Sequence, residues 1–199
     1  AWSNGSTTTN TTSTTNTISG IPAGTYTVTI TDSEGTTATA SITLTQPTAL
    51  IAATVVDSNA SCNGYADGGL TASATGGTTP YYYTWNIGAT TASVTGLVAS
   101  TYTVTITDGN ACTSSSSNTV TEPAALVAAV AVDSNATCNG YADGGLTASA
   151  TGGTTPYYYA WSNGATTASI TGLAAETFTV TITDNNGCTS TSSNTVTEP

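Results

Sequence analysis

Residues Thr101–Thr107 read Thr-Tyr-Thr-Val-Thr-Ile-Thr, an unbroken alternation of threonine with a larger apolar residue. Side chains of a β-strand point alternately to the two faces of its sheet, so Tyr102, Val104 and Ile106 would share one face. Threonine is β-branched and suits the opposite, solvent face, because it favours an extended backbone without exposing a large apolar surface. This stretch therefore predicts a β-strand with one face against a core.

The same pattern recurs at 25–31 and 177–183, in each case 76 residues away along the chain. Aligned on this period, 48–123 and 124–199 are identical at 61 of 76 positions, and 1–47 match the C-terminal part of a third, truncated copy. Self-similarity at a fixed period indicates a tandem array. An array of near-copies favours a mechanical or multivalent role over catalysis.

Each full unit is predicted to be an all-β, immunoglobulin-like antiparallel sandwich of about 76 residues. Turn residues separate its candidate strands, and no segment shows a helical period. With six strands, the first and last residues of the unit would lie at the same end of the sandwich, and Cys62 and Cys112 would also lie together at one end. A seventh strand near Ile87–Thr90 would place the members of each pair at opposite ends. In the second unit the candidate strands are Leu50–Val56, Gly69–Thr75, Tyr81–Trp85, Thr91–Thr95, Thr101–Thr107 and Cys112–Thr121.

Short segments that end in Pro47 and Pro123 join the units. Such junctions restrict hinge motion, so we expect a semi-rigid string of separate sandwiches that touch mainly at their ends. The first unit also carries a Thr-, Ser- and Asn-rich insertion at 6–17, which we expect to form a surface loop. Because this unit lacks its opening strands, its edge would be able to accept a strand from another copy.

The charge balance excludes several classes of function. The 199 residues include 11 Asp and Glu but no Lys, Arg or His, for a net charge of −11. Binding to nucleic acids or to anionic lipid headgroups needs cations that the chain lacks, and side-chain salt bridges cannot form. General acid–base chemistry through His or Lys is excluded, and histidine-type zinc sites cannot form. We therefore expect no enzymatic activity and no resident cofactor. No run approaches the roughly 18 or more apolar residues of a membrane span, so we also expect no membrane insertion.

Four cysteines, Cys62, Cys112, Cys138 and Cys188, occupy equivalent positions in the two full units. No Cys-x-x-Cys pair is present, so we favour disulfides in an oxidising, extracellular setting over a metal site. Either bonds within units, Cys62–Cys112 and Cys138–Cys188, or a cross-unit bond Cys112–Cys138 would respect the repeat. Thr36 replaces the second cysteine in the first unit, so the cross-unit scheme would leave Cys62 without its partner. We therefore predict the bonds within units.

The aromatic residues cluster on the third candidate strand, where Tyr81, Tyr83 and Trp85 would face one side and Tyr82 the other. Trp85 and its same-face tyrosines are expected to build the core, as a third-strand tryptophan often does in such sandwiches. Tyr82, and its equivalent Tyr158 in the third unit, are then the candidate contacts for a sugar ring.

Oxygen-bearing side chains flank the first cysteine of each unit, and oxygen ligands clustered in a loop are what calcium requires. The same residue types are equally suited to turns, where they bond their own backbone. The spacing does not match an EF-hand loop. The candidate calcium ligands are Asp57, Asn59 and Asp67 in the second unit and Asp133, Asn135 and Asp143 in the third.

A longer motif string runs through both full units: Gly-Gly-Thr-Thr-Pro-Tyr-Tyr-Tyr-x-Trp, then Gly-Ala-Thr-Thr-Ala-Ser, then Thr-Val-Thr-Ile-Thr-Asp, a cysteine and a closing Val-Thr-Glu-Pro. This string resembles the SprB repeat found in very large surface adhesins of gliding Bacteroidota. The resemblance implies an extracellular, cell-surface protein exported across the outer membrane. In gliding members of the family it also implies a role in gripping surfaces or polysaccharide during motility.

The expected function is a non-enzymatic structural array of an adhesin or surface filament. Its expected partners are neighbouring units of the same chain, surface polysaccharide and other copies within a filament. The alternative is a carbohydrate-binding module that uses the Tyr/Trp cluster of each unit, and exposure of the aromatic rings discriminates between the two.

Overall fold

The computed structural model describes residues 1–7 and 15–199, and within these ranges every regular element is a β-strand. Most of the predicted insertion at 6–17 lies outside the described residues. The first unit contributes β1 (Gly24–Thr31) and β2 (Thr37–Leu44). The second unit contributes β3 (Ile51–Ser58), β4 (Gly68–Thr75), β5 (Tyr82–Trp85), β6 (Ser93–Leu97), β7 (Ser100–Thr107) and β8 (Thr113–Val120). The third unit contributes β9 (Val127–Ser134), β10 (Gly144–Thr151), β11 (Tyr158–Trp161), β12 (Ser169–Leu173), β13 (Thr177–Thr183) and β14 (Thr189–Thr195).

Two three-stranded antiparallel sheets form each full unit. In the second unit the strand orders are β3-β4-β6 and β5-β7-β8, and the third unit repeats them as β9-β10-β12 and β11-β13-β14. The predicted face of β7 is buried: Tyr102, Val104 and Ile106 all lie in the core, together with Trp85 from the neighbouring strand β5 and Leu70 from the facing sheet. The predicted all-β, immunoglobulin-like sandwich is thus confirmed.

Hydroxyl groups link the strands on the solvent face of this sheet. Thr101 Oγ1 and Thr119 Oγ1 are 2.8 Å apart, and Thr103 Oγ1 and Ser117 Oγ are also 2.8 Å apart, each pair spanning β7 and β8. Cross-strand pairs of this kind stabilise a sheet. In a chain that cannot form side-chain salt bridges, hydrogen-bonded hydroxyls fill the positions that opposite charges often occupy.

Strand directions place the two chain ends at opposite ends of the full unit. β6 runs antiparallel to β4, and β5 runs antiparallel to β7. β5 pairs with one half of β7 and ends at Trp85 opposite Val104, whereas β6 begins at Ser93 opposite Thr71, in the middle of β4, so the two strands cover successive halves of a single pass along the unit. Residues 86–92 carry the chain from one sheet to the other, where the backbone N–H of Trp85 donates to Ala89 O at 2.9 Å and that of Ala72 donates to Ala92 O at 2.8 Å. Among the residues that the structure describes, no seventh strand forms near Ile87–Thr90. Six strands make five passes along the unit, because β5 and β6 make one pass together, and an odd number of passes leaves the chain ends at opposite ends.

The cores of the two full units are separate. One buried cluster contains side chains between Leu70 and Val120, and the other contains side chains between Ala136 and Val196. No buried side chain is shared by the two clusters within the described residues. The molecule is therefore a string of sandwiches, as expected from the short junctions.

The first unit is a half-sandwich. β1 pairs with β2, and Trp2 adds an isolated antiparallel bridge to Val28, as Trp85 pairs with Val104 in the second unit. Ile30 is 66% exposed, whereas its equivalent Ile106 is fully buried. The difference arises because no second sheet covers β1 and β2 in the part of the chain that the structure describes.

Candidate functional site at the junction between units

A disulfide joins the two full units. Cys62 is bonded to Cys188, with their Cα atoms 5.8 Å apart and a sequence separation of 126, while Cys112 and Cys138 have free, exposed thiols. The predicted bonds Cys62–Cys112 and Cys138–Cys188 are therefore wrong. The alternative Cys112–Cys138 scheme is wrong as well.

The number of passes that the chain makes along the unit explains the correction, because β5 and β6 share one pass and the unit has five passes instead of six. Cys62 follows β3 at the end of the unit where β8 finishes, and Cys112 precedes β8 at the opposite end. An eight-residue strand spans about 26 Å, whereas disulfide-bonded cysteines need Cα atoms within about 7 Å. Two cysteines of one unit therefore cannot meet. The end of the second unit that carries Cys62 instead meets the end of the third unit that carries Cys188.

The second unit presents Cys62 on a loop, 59–67, here called the junction loop. The backbone N–H of Ser61 donates to Asp67 Oδ1 at 3.0 Å, and the Ser61 hydroxyl donates to the other oxygen of the same carboxylate. These hydrogen bonds, the side-chain one first, hold the pKa of Asp67 below its usual value. The charged Asp67 carboxylate therefore holds Ser61, the residue next to Cys62, in a fixed position within the junction loop.

Glu122 ties the junction loop to the segment that leaves the unit. Its carboxylate accepts the backbone N–H of Gly64 at 2.7 Å and the side-chain amide of Asn63 at 2.9 Å. Gly64 adopts a φ of 77°, a left-handed conformation that favours glycine, at the Asn-Gly turn. Asn63 also donates to the carbonyl of Pro123 at 3.2 Å, so the loop and the peptide connection between units form one structure.

The third unit presents Cys188 on a turn, 184–188, here called the junction turn. The buried Asp184 carboxylate accepts the backbone N–H groups of Cys188 and Asn186, both at 2.9 Å, and that of Thr154 at 2.8 Å. Burial by itself raises the pKa of Asp184, but these backbone donors outweigh it and lower the pKa below its usual value. A charged carboxylate thus holds the turn that carries the thiol.

One hydrogen bond crosses the junction beside the disulfide. Asn186 donates its side-chain amide to the main-chain carbonyl of Ser61 at 2.8 Å and also to Thr154 Oγ1 at 3.2 Å. Both bonded cysteines are buried, Cys62 at 4% exposure and Cys188 at 8%. A small cleft beside them is lined partly by Tyr65 and Leu126. Sequence reasoning missed Ser61 and Asn186, since their roles depend on which unit ends meet.

The aromatic cluster divides as predicted by strand alternation. Trp85 is buried and donates its indole N–H to Thr91 O at 2.9 Å, while Tyr81 and Tyr83 are partly buried against the core. Tyr82 is 61% exposed. The other well-exposed ring of the unit, Tyr65, lies at the opposite end, so the two do not form a common platform. The third unit repeats this arrangement, with Trp161 buried and Tyr141 and Tyr158 exposed.

The candidate calcium ligands accept hydrogen bonds from their own units. Asp57 accepts the Thr71 hydroxyl at 2.7 Å, and Asn59 accepts the backbone N–H of Thr121 at 3.0 Å. Among the described residues, no three His, Cys, Asp or Glu side chains lie together as a metal site. Calcium binding stays a prediction. The equivalent contacts in the third unit are Thr147 to Asp133, Thr197 to Asn135 and Thr137 to Asp143.

No helix in the described part of the chain is long and apolar enough to cross a membrane.

Several solved structures share a general likeness with this chain. A structure described as the structural basis for Dscam isoform specificity is 12% identical over 88% of this chain and 54% of its own, with a TM-score of 0.35. The N-terminal eight Ig domains of Down Syndrome Cell Adhesion Molecule give 12% identity, 86% and 26% coverage and a TM-score of 0.39. A C-terminal fragment of intimin in complex with the Tir intimin-binding domain gives 12% identity, 86% and 57% coverage and a TM-score of 0.35. This chain therefore spans less than two thirds of each of these structures.

Sequence comparison gives a more specific result. No curated protein matches the chain. Residues 54–90 and 131–166, one stretch in each full unit, match the family described as the SprB repeat. Both stretches run from the first strand of their unit, through the junction-type loop and the aromatic strand, to the turn that follows it. The resemblance read from the motif string is therefore confirmed, because the SprB repeat family matches two stretches of this chain, one in each full unit.

Proposed function

We propose that this chain is a non-enzymatic structural repeat array of an extracellular surface adhesin or filament, which gives reach and surface attachment as in gliding-motility adhesins. The observation that carries the proposal is the junction. Each unit admits the chain at one end and releases it at the other, and the Cys62–Cys188 bond fastens consecutive ends together. Such an arrangement transmits load along a series of units.

The carboxylates of the described residues support a structural role. Asp67 and Asp184 hold the two sides of the junction, and Asp108 holds the equivalent turn of the second unit through the backbone N–H groups of Thr78, Asn110 and Cys112. General acid–base catalysis requires a titrating group within reach of a substrate. Here the turn-forming carboxylates are occupied by backbone donors, and the chain has no histidine or lysine to accompany them.

An extracellular location fits the covalent chemistry. Disulfides persist in oxidising compartments and at cell surfaces and are rare in reducing ones. The SprB repeat implies the same location, since the family occurs in surface adhesins. The chain also carries a net charge of −11 and is rich in hydroxyl groups, and repulsion between like charges opposes nonspecific association of separate filaments.

Small-angle X-ray scattering of the full chain tests the array. A compact chain of this length would have a radius of gyration of about 16 Å, whereas three units placed end to end, each about 26 Å long, give a value on the order of 25 Å. The array predicts the larger value under oxidising conditions. A value near that of a compact globule would contradict the proposal.

A second candidate function is carbohydrate binding, and the exposed Tyr82 and Tyr158 are the observation that favours it. Each presents one ring on the outer face of its strand, 61% and 58% exposed. Aromatic rings stack on the apolar faces of sugars, although one ring per unit is fewer than the paired platform expected of a dedicated binder. A glycan array probed with the full chain and with the Y82A/Y158A variant tests this function. Binding that the variant retains would argue against these tyrosines.

A further inference from the structure

The two free cysteines occupy the positions that the bonded pair occupies in the neighbouring unit. Cys138 of the third unit is equivalent to Cys62 of the second, and Cys112 of the second unit is equivalent to Cys188 of the third. Both free thiols are exposed. The chain thus contains one closed junction and the two separate halves of further junctions of the same kind.

The loop that carries Cys138 is built like the junction loop. Thr137 donates its backbone N–H at 3.0 Å and its hydroxyl at 2.6 Å to the Asp143 carboxylate. Glu198 accepts the Gly140 N–H at 2.7 Å and the Asn139 amide at 3.1 Å. These contacts repeat those that Asp67 and Glu122 make around Cys62. The half-junction at the end of the third unit is therefore preformed without any partner.

The turn that carries Cys112 is built like the junction turn. Asp108 accepts the backbone N–H of Cys112 at 2.8 Å and that of Asn110 at 2.9 Å. Asn110 donates its side-chain amide to Thr78 Oγ1 at 3.0 Å, as Asn186 does to Thr154. The difference is that Asn186 also reaches Ser61 O across the junction, and that Cys188 is buried while Cys112 is exposed.

We propose that Cys138 and Cys112 are the open halves of a disulfide ladder, and that the partner of each is a further unit of this same repeat. Cys138 would bond the cysteine equivalent to Cys188 in a unit that follows it, and Cys112 would bond the cysteine equivalent to Cys62 in a unit that precedes it. The closed junction supports this assignment, because equivalent residues in equivalent local hydrogen bonds already form this disulfide once in the chain.

The bond forms by thiol–disulfide exchange. A disulfide oxidant such as glutathione disulfide forms a mixed disulfide with one cysteine, and the second thiolate displaces the glutathione thiolate. The two cysteine thiols lose two protons and two electrons in total, and the oxidant is reduced to two thiols. In the docked junction the two sulfurs are held together by the loop and the turn, so a bond within the array is favoured over one between random chains.

The first unit provides an internal contrast. Its Asp32 accepts the backbone N–H groups of Glu34 at 2.9 Å and Thr36 at 2.8 Å, which repeats the turn of the other units. Thr36, however, stands where they have cysteine. This unit keeps the shape of the junction turn but has no thiol, so no rung of the ladder can form at this turn.

The test is an extended chain in which a second copy of 124–199 follows Pro199. This chain has six cysteines, and the ladder predicts two disulfides, one of them between Cys138 and the appended equivalent of Cys188. Folding in a glutathione buffer, alkylation of free thiols and mapping with a protease other than trypsin would identify the bonds. Four free thiols, or a bond within the appended unit, would overturn the inference.

Two controls sharpen the test. In the chain without an extension, native-state alkylation should modify Cys112 and Cys138 and spare Cys62 and Cys188. In an extended chain whose appended equivalent of Cys188 is serine, Cys138 should become reactive again. If Cys138 remained protected in that control, its protection would have another origin and the ladder would be wrong. The inference rests on the proposed array only for the existence of further units, and its readout is bond connectivity, which is independent of both the scattering test and adhesion.

Discussion

The side-chain amide of Asn186 donates a hydrogen bond to the main-chain carbonyl of Ser61, 125 residues earlier in the chain. This contact spans two separate sandwiches and lies directly beside the disulfide between Cys62 and Cys188. It shows that the junction has a defined geometry as well as a covalent bond. A hydrogen bond beside the two cysteines favours the geometry that the disulfide requires, so the contact and the bond support each other.

Replacing Asn186 by alanine should make the junction disulfide easier to reduce. The variant loses a hydrogen bond worth about 1 kcal/mol, which corresponds to a roughly fivefold change in the reduction equilibrium constant with glutathione. The matched control is N110A, because Asn110 occupies the equivalent position but contacts no other unit. Equal shifts in the two variants would show that the turn matters and the cross-junction contact does not.

Removing the disulfide with the C62S/C188S double substitution should destabilise the second and third units. The chain-entropy model assigns about 5 kcal/mol to a cross-link that closes a loop of this length, and the bond closes 126 residues. Urea unfolding followed by circular dichroism would measure the change. The C112S/C138S double variant removes two free thiols and should unfold as the parent does. A comparable loss in that control would contradict the assigned connectivity.

Mechanical unfolding should reveal the path of force through the junction. When the chain is pulled from its two termini, the Cys62–Cys188 bond shields from extension the segment between the cysteines, whose sequence separation is 126. At about 3.6 Å per residue, the fully extended oxidised chain should be shorter than the reduced chain by roughly 450 Å. Single-molecule force spectroscopy with and without a reductant measures this difference. A shortening that matches only 50 residues would indicate a bond within one unit instead.

Acid should loosen the junction turn. The folded-state pKa of Asp184 lies below its ordinary value of 3.8, so the carboxylate contributes stability that is fully present above that value. This stability is lost as the pH falls below 3.8 and through the lowered pKa. In D184N the group no longer titrates, so this part of the acid sensitivity should disappear while stability at neutral pH also falls. Thermal unfolding measured between pH 7 and 2 would test both effects, and parallel pH profiles for the two proteins would refute the assignment.

Two glycines with similar backbone angles should respond differently to alanine. Gly64 and Gly76 have φ values of 77° and 71°. A Cβ on Gly64 would meet no atom within 4 Å, whereas one on Gly76 would come within 2.0 Å of the Ala49 carbonyl oxygen. We expect G64A to cost about 1 kcal/mol, from the left-handed conformation alone, and G76A to cost at least about 3 kcal/mol because backbone must move. Equal costs measured by urea unfolding would count against the close approach near Ala49.

Sequence periodicity was sufficient for the strands and for the direction in which their side chains point. Tyr102, Val104 and Ile106 are buried as their spacing predicts, and Trp85 is buried while Tyr82 is exposed. The reason is local: alternation along a strand fixes which side chains share a face, whatever the strand later packs against. The family resemblance was likewise carried by contiguous motifs, and it holds in both full units.

The pairing of the cysteines could not be read from the same pattern. It depends on how many passes the chain makes along the unit, and β5 and β6 share a single pass, since β5 ends opposite the middle of β7 and β6 begins opposite the middle of β4. Five passes instead of six place Cys62 and Cys112 at opposite ends of the unit, and a covalent bond can form only between thiols that meet. The amino-acid sequence by itself thus determined the strands, the buried faces and the repeat, because these follow from the properties of neighbouring residues. The tertiary structure alone decided that Cys62 bonds Cys188, because only the path of the whole chain brings the two sulfurs together.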